Sequence, residues 1–191
     1  MKKIITLLLL ALALTAFAQE HMKFMGIPIN GQLTTFCQAL EKKNFRLDKM
    51  YANSARYEGL FTGKVAYVIV ETTPKTHTVY DVLVAYQNNV KWDDMDNLYF
   101  GLKEQLTTKY GEPKDVLEVG DAPISDIFIR DNLENASLIR RARFETEVGY
   151  IDLGIDNLRL FGGSYGSPYA YLIYIDKANQ AKGDQEAYDD L

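Results

Sequence analysis

Residues 91–113 read KWDDMDNLYFGLKEQLTTKYGEP, and the fold is read outward from this stretch. Trp92, Met95, Tyr99, Leu102 and Leu106 recur at helical spacing and make one apolar stripe. Asp93 is placed to cap the first turn, and Asp94 and Asp96 lie where the helix dipole favours negative charge. Gly111 supplies a left-handed stop and Pro113 prevents continuation. Strand-like sequence lies on both sides, so this helix is the pivot of an α+β chain.

Upstream, residues 24–29 (FMGIPI) read as a short extended piece, because Pro28 keeps Ile27 out of helix. Residues 19–25 read as a flexible lead-in. Asn30 is the expected cap of a helix running to about Lys43, with Leu33, Phe36, Cys37 and Leu40 on one apolar face. Asn44 takes the left-handed position and Phe45 folds back on Leu40. Cys37 therefore reads as core packing and not as a reactive thiol. Residues 46–60 are mixed strand sequence. Residues 63–71 (GKVAYVIVE) and 78–87 (TVYDVLVAYQ) are strong β-sequence and read as a hairpin. Both are apolar at nearly every position, which points to central strands covered, at least in part, on two faces.

Downstream, Pro123 breaks the chain and residues 124–130 (ISDIFIR) read as a strand followed by a polar turn over 131–135. Residues 137–146 (SLIRRARFET) and 148–156 (VGYIDLGID) form a second hairpin, with Ile151, Leu153 and Ile155 on one side. Residues 162–167 (GGSYGS) read as a loop and 168–176 (PYAYLIYID) as the last strand. The polar, acidic remainder, 178–191, is expected to be disordered. The expected architecture is two helices packed on one face of a mainly antiparallel sheet in a single domain over 19–177. Two tandem helix-then-strands units, 24–90 and 91–177, fit the same order. Ala55-Arg56-Tyr57-Glu58 and Ala142-Arg143-Phe144-Glu145 occupy matching places in the two halves. About twenty extra residues, roughly 112–132, precede the second of these motifs. Internal duplication and two unrelated halves both account for this pattern.

The chain's start reads as an export signal. Lys2 and Lys3 form a positive end, residues 4–14 an apolar run, and Ala16-Phe17-Ala18 a small-x-small site with cleavage expected after Ala18. The expected destination is the periplasm or the outside of a bacterial cell. The chain has 26 acidic against 21 basic residues and a net charge of −5. Losing Lys2 and Lys3 makes the remainder more acidic, which disfavours nucleic acid and anionic membranes as partners. No transmembrane span is expected. The single cysteine excludes an intramolecular disulfide.

Two resemblances arise from these elements. The tandem helix-then-antiparallel-strands order resembles β-lactamase inhibitor proteins and the small outer-membrane assembly lipoproteins that share their fold. The opening Phe24-Met25-Gly26-Ile27-Pro28-Ile29-Asn30-Gly31 resembles small exported gut-bacterial proteins of uncharacterised function and implies no activity.

Motifs with chemical meaning are few. Residues 162–166 match G-x-S-x-G, but Pro168 and a strand follow where a nucleophile elbow needs a helix, and no histidine follows. His21, His77 and Cys37 are too scattered for zinc. Asp93, Asp94 and Asp96 lack calcium-loop spacing. No catalytic residue, metal or cofactor is expected. The candidate binding residues are the tyrosines Tyr165, Tyr169 and Tyr171, with Tyr174 on the other face, and the basic pair Arg141 and Arg143. Tyrosine gives contact area at low entropic cost. The arginines suit an acidic partner, or pairing with sheet neighbours. The expected function is non-catalytic binding, most directly of a protein partner in the cell envelope through an exposed sheet face. Carbohydrate or small-ligand binding by surface tyrosines, and a periplasmic hydrolase using carboxylates, are the alternatives.

Overall fold

The computed structural model describes residues 20–87, 91–123, 125–158, 160 and 166–189. The expected signal segment over 1–18 and the loop carrying Tyr165 and most of the G-x-S-x-G match lie outside the described residues. The helix from the opening stretch is α2, Trp92–Tyr110, and all five stripe residues are buried. Gly111 ends it at φ 86°, its N–H donating to the Thr107 carbonyl. The cap differs from expectation. Asp93 does not cap; Asp126, distant in sequence, accepts from the Trp92 N–H at 3.0 Å.

The earlier helix, α1, spans Leu33–Glu41 and buries Leu33, Phe36, Cys37 and Leu40. It is shorter than expected and starts at Gln32, because Asn30 turns its side chain to its neighbour, accepting from the Gly31 N–H. Its end is the expected one. Asn44 is left-handed (φ 66°), and the Phe45 and Asn44 N–H groups donate to the Leu40 and Glu41 carbonyls.

Eight antiparallel strands form one sheet in the order β3-β4-β5-β6-β10-β9-β8-β7. They are β3 (Arg46–Met50), β4 (Ser54–Phe61), β5 (Lys64–Thr72), β6 (Val79–Tyr86), β7 (Asp115–Val119), β8 (Ile139–Glu145), β9 (Gly149–Leu158) and β10 (Ser167–Asp176). Each half is a helix followed by four strands, and the two halves join where β6 pairs with β10. The matched motifs lie on β4 and β8, and alternation gives each pair the same role. Ala55, Tyr57, Ala142 and Phe144 are buried beneath the helices. Arg56, Glu58, Arg143 and Glu145 point to the opposite face.

Pairing register separates the faces. Val68, Val84, Leu172, Leu153 and Ala142 lie in one row under the helices, and all are buried. A small hairpin, β1 (Lys23–Phe24) and β2 (Ile27–Pro28), fills the helical layer. Met25 and Gly26 both take positive φ at its turn. Phe24 stacks on Phe61 at 5.2 Å and meets Tyr174 edge-on at 5.3 Å. The lead-in expected to be flexible over 19–25 is thus partly anchored: Met22 is buried, and its N–H donates to the Asp176 carboxylate at 2.8 Å.

Two further expectations are corrected. Of the strand expected over 124–130, the described residues 125–130 are not a strand. A 3-10 turn over Asp126–Phe128 leads into α3, Ile129–Glu134. Strand alternation would put Ile127 and Ile129 on one face, yet Ile127 is 77% exposed and Ile129 fully buried. The polar turn expected over 131–135 is largely that helix. The extra residues of the second half form β7 and this helix.

The 178–191 tail is not disordered where it is described. Helix α4, Lys177–Tyr188, follows β10 directly. Asp176, with no exposed surface, caps it by accepting from the Asn179 N–H at 3.0 Å, and also binds the Met22 N–H and His21. Asn179 donates to the Ile29 and Val79 carbonyls. Glu186 accepts from the Lys75 and Thr76 N–H groups, tying α4 to the β5–β6 turn. Burial raises the Glu186 pKa, but the Thr76 hydroxyl and these two N–H groups outweigh it and lower it to about 2 from 4.5. A lowered carboxylate pKa stabilises the fold above the unfolded value and loses that contribution as pH falls. The melting temperature should therefore fall between pH 4.5 and about 2, and Glu186→Gln should flatten that limb in a pH series of thermal melts.

Candidate functional site: the open sheet face

The strand faces turned away from α1 and α2 form a broad surface. One row runs from edge to edge as Leu117, Arg141, Gly154, Tyr171, Ala85, Tyr67, Glu58 and Arg46. The next runs as Asp115, Arg143, Asp152, Ile173, Leu83, Ile69, Arg56 and Lys49. Apart from Leu117 at the β7 end of the first row, charge lies toward the edges and apolar or aromatic side chains lie at the centre. The floor is formed by Tyr67, Ile69, Leu83 and Ile173, all half-buried, with Tyr171 pressed flat.

Of the residues expected to bind, Tyr169, Tyr171, Arg141 and Arg143 all reach this face. Tyr165 lies outside the described residues. Tyr174 is on the helical side, as expected, and buried. Tyr169 is half-buried. Tyr171 is only 8% exposed, because Gly154 lets its ring lie across β9. A Cβ at Gly154 would stand 2.7 Å from the Tyr171 hydroxyl. Burial raises the Tyr171 pKa, and the neighbouring Arg141 guanidinium partly opposes that.

The arginines pair with sheet neighbours. Arg143 grips Asp152 through Nε and Nη2, both at 2.7 Å, and lies 4.3 Å from the Tyr150 ring. Arg141 donates to Asp156 at 3.1 Å and stays exposed. The preceding arginine, Arg140, is on the helical side, bound to Asp96 at 2.6 Å and stacked 5.1 Å from Trp92. A depression of about 520 Å³ lies along Arg141, Arg143, Asp152 and Tyr171.

The opposite flank repeats this arrangement. Arg56 binds Asp48 and the Leu160 carbonyl and lies 5.8 Å from the Tyr67 ring. Tyr169 has a pKa raised by burial and by nearby Tyr67, with Arg56 lowering it, which places these three groups together. At one end stands α4, where the Tyr150 hydroxyl donates to Gln180. There Asp81 is half-buried, its pKa raised well above the usual carboxylate value by burial and by Glu71 and Asp152.

Tyr67, Ile69, Leu83, Ile173 and Arg56 were not singled out from the sequence. Their signal was the near-continuous apolar run of β5 and β6, read there as coverage on two faces. Coverage of the second face is local: α4 packs beside β6, β9 and β10. His77 is exposed in the β5–β6 turn at φ 51°. Cys37 is buried and its thiol pKa raised by burial. Among the described residues, no group of three or more His, Cys, Asp or Glu side chains could hold a metal ion. No helix among them is long and apolar enough to cross a membrane. Comparison of the chain with protein-family models, with curated proteins and with solved structures finds no match.

Proposed function

We propose that this chain is an exported, non-catalytic binding protein that holds a protein partner against its open sheet face. The carrying observation is the distribution across that face: a half-buried floor of Tyr67, Ile69, Leu83 and Ile173 around the buried Tyr171, flanked by the Arg143–Asp152 and Arg56–Asp48 pairs. An apolar centre within a polar rim is the usual anatomy of a protein interface. Arginines fixed by carboxylates are pre-ordered, which reduces the entropy lost on binding. Tyr67 and Tyr169, both half-buried on this face, favour a second reading, stacking of a sugar ring. The carboxylate-hydrolase reading has less support, since it needs acids opposed across a cleft. Asp152 and Asp156 share one strand face, and each accepts from an arginine.

The test is affinity capture from the envelope of the cells that make the protein, with wild type and Tyr67→Ala/Tyr169→Ala as baits. Recovery of one protein in stoichiometric amount by wild type, with at least tenfold loss for the double variant, supports the proposal, ~1.4 kcal/mol being a tenfold change. Equal recovery by a double variant that still melts cooperatively, or no recovery by either bait, overturns it.

A further inference from the structure

The two outer strands of the sheet differ in how they meet solvent. Strand β3 carries Arg46 and Lys49, and its register shifts between Leu47 and Lys49. Charged side chains and a bulge are the usual protection of a sheet edge. Strand β7 has neither a bulge nor a basic residue. It pairs with β8 in unbroken register from Asp115↔Arg143 to Val119↔Ile139, and every residue in it is exposed. Val116, Leu117 and Val119 are 46%, 49% and 39% exposed. The only charges on β7 are the acids Asp115 and Glu118, and Glu118 is already bound to Lys103; an unbulged edge with three exposed apolar residues in five is a template for strand pairing.

The strand is also rigidly held from within. The Glu118 carboxylate accepts from the Tyr99 hydroxyl at 2.9 Å and from Lys103 at 2.6 Å, tying β7 to α2. Arg140 donates to the Val119 and Gly120 carbonyls. The edge is therefore presented in extended form, with little ordering left for a partner strand to impose.

We infer that β7 is a homodimer interface, pairing antiparallel with β7 of a second copy about a twofold axis through Leu117. The sequence Asp115-Val116-Leu117-Glu118-Val119 is self-complementary in that register. Leu117 faces Leu117 of the partner subunit. Asp115 faces Val119 of the partner subunit, and Val116 faces Glu118 of the partner subunit, so no like charges oppose. A two-residue slip either way leaves only three residues of each strand paired, and in one direction it also sets Glu118 against its own copy. A one-residue slip would put the helical layers on opposite sides. Such a contact is isologous and closes at two copies, whereas pairing β7 with β3 would propagate into a filament across the β3 bulge. The two open faces would then form one continuous surface of two eight-stranded sheets.

The test uses Leu117→Cys and Val119→Cys in the chain lacking residues 1–18, under mild oxidation. Residues directly opposed on antiparallel strands lie about 4.5–5.5 Å apart, within disulfide range. The two copies of position 119 would lie on the order of 13 Å apart, outside it. The buried Cys37 is present in every variant, and wild type controls for it. Leu117→Cys is expected to run as a covalent dimer on a non-reducing gel, with Val119→Cys and wild type remaining single chains. Light scattering at high micromolar concentration should give twice the chain mass for wild type and the single-chain mass for Leu117→Lys, both melting cooperatively. A monomeric wild type, oligomers larger than two, cross-linking at 119 but not 117, or a dimer unaffected by Leu117→Lys would overturn the inference.

Discussion

Leu102→Asp is expected to abolish the native melting transition. Leu102 is 3% exposed on the α2 stripe. With Phe61, Leu106, Leu172 and Tyr174 it surrounds a small cavity between helix and sheet. Truncation to alanine there should cost about 2–5 kcal/mol. Aspartate removes the same contacts and puts a carboxylate against the apolar wall of Phe61, Leu106 and Leu172, which raises the cost beyond that range. Domains of this size are stable by about 5–15 kcal/mol in total. Far-ultraviolet circular dichroism during heating should therefore show no cooperative step for Leu102→Asp, and a lowered but cooperative step for Leu102→Ala. A native transition within a few degrees of wild type for the aspartate variant would mean that α2 is not packed on the sheet.

Removing residues 177–191 should give the second large effect. A disordered tail could be cut without consequence, but α4 is bound through its polar face. Truncation after Asp176 deletes Asn179, which links the Ile29 and Val79 carbonyls, and Glu186, which holds the β5–β6 turn. It leaves those carbonyls and turn amides to water, and leaves Asp176 with only the Met22 N–H and His21 among the partners described above. Losing a cap costs ~1 kcal/mol. Each lost buried hydrogen bond costs about 0.5–1.5 kcal/mol more. The melting temperature should fall by roughly 10 °C, at about 2–4 °C per kcal/mol for a chain of this length. Asp176→Ala should reproduce a large part of that fall, because one carboxylate joins the chain's start to α4. An unchanged melting temperature on truncation would show that α4 is not docked.

How much of this could be read from the chain depends on where each element hides its side chains. Helix α2 was legible because it buries one apolar stripe at a constant spacing. The two hairpins were legible because β-branched and aromatic residues dominate their strands, nearly continuous in the first and alternating in β9 of the second. Strand β7 was not, because an edge strand exposed along its whole length carries no burial pattern. Residues 124–130 misled because Ile127 and Ile129 mimic a strand period, while the chain buries only Ile129. The α4 helix escaped because its buried residues are Asn179 and Glu186, and no apolar stripe marks it. Its contacts are to backbone groups far away in sequence.

The open face was only partly legible for a similar reason. Tyr169, Tyr171, Arg141 and Arg143 stood out by residue type and share the face. Their neighbours Tyr67, Leu83 and Arg56 join them only through the β6–β10 pairing, which links residues some 90 positions apart. That pairing turns two four-stranded halves into one surface.

The measurement that tests this account most directly is site-specific photo-crosslinking in the cells that make the protein. A photoreactive side chain is placed singly at Tyr169, on the open face, or at Glu104, exposed on α2. A covalent adduct of defined mass from position 169, with none from position 104, is the predicted result. Adducts from position 104 with none from 169 would place the partner on the helical side and contradict binding through the open face.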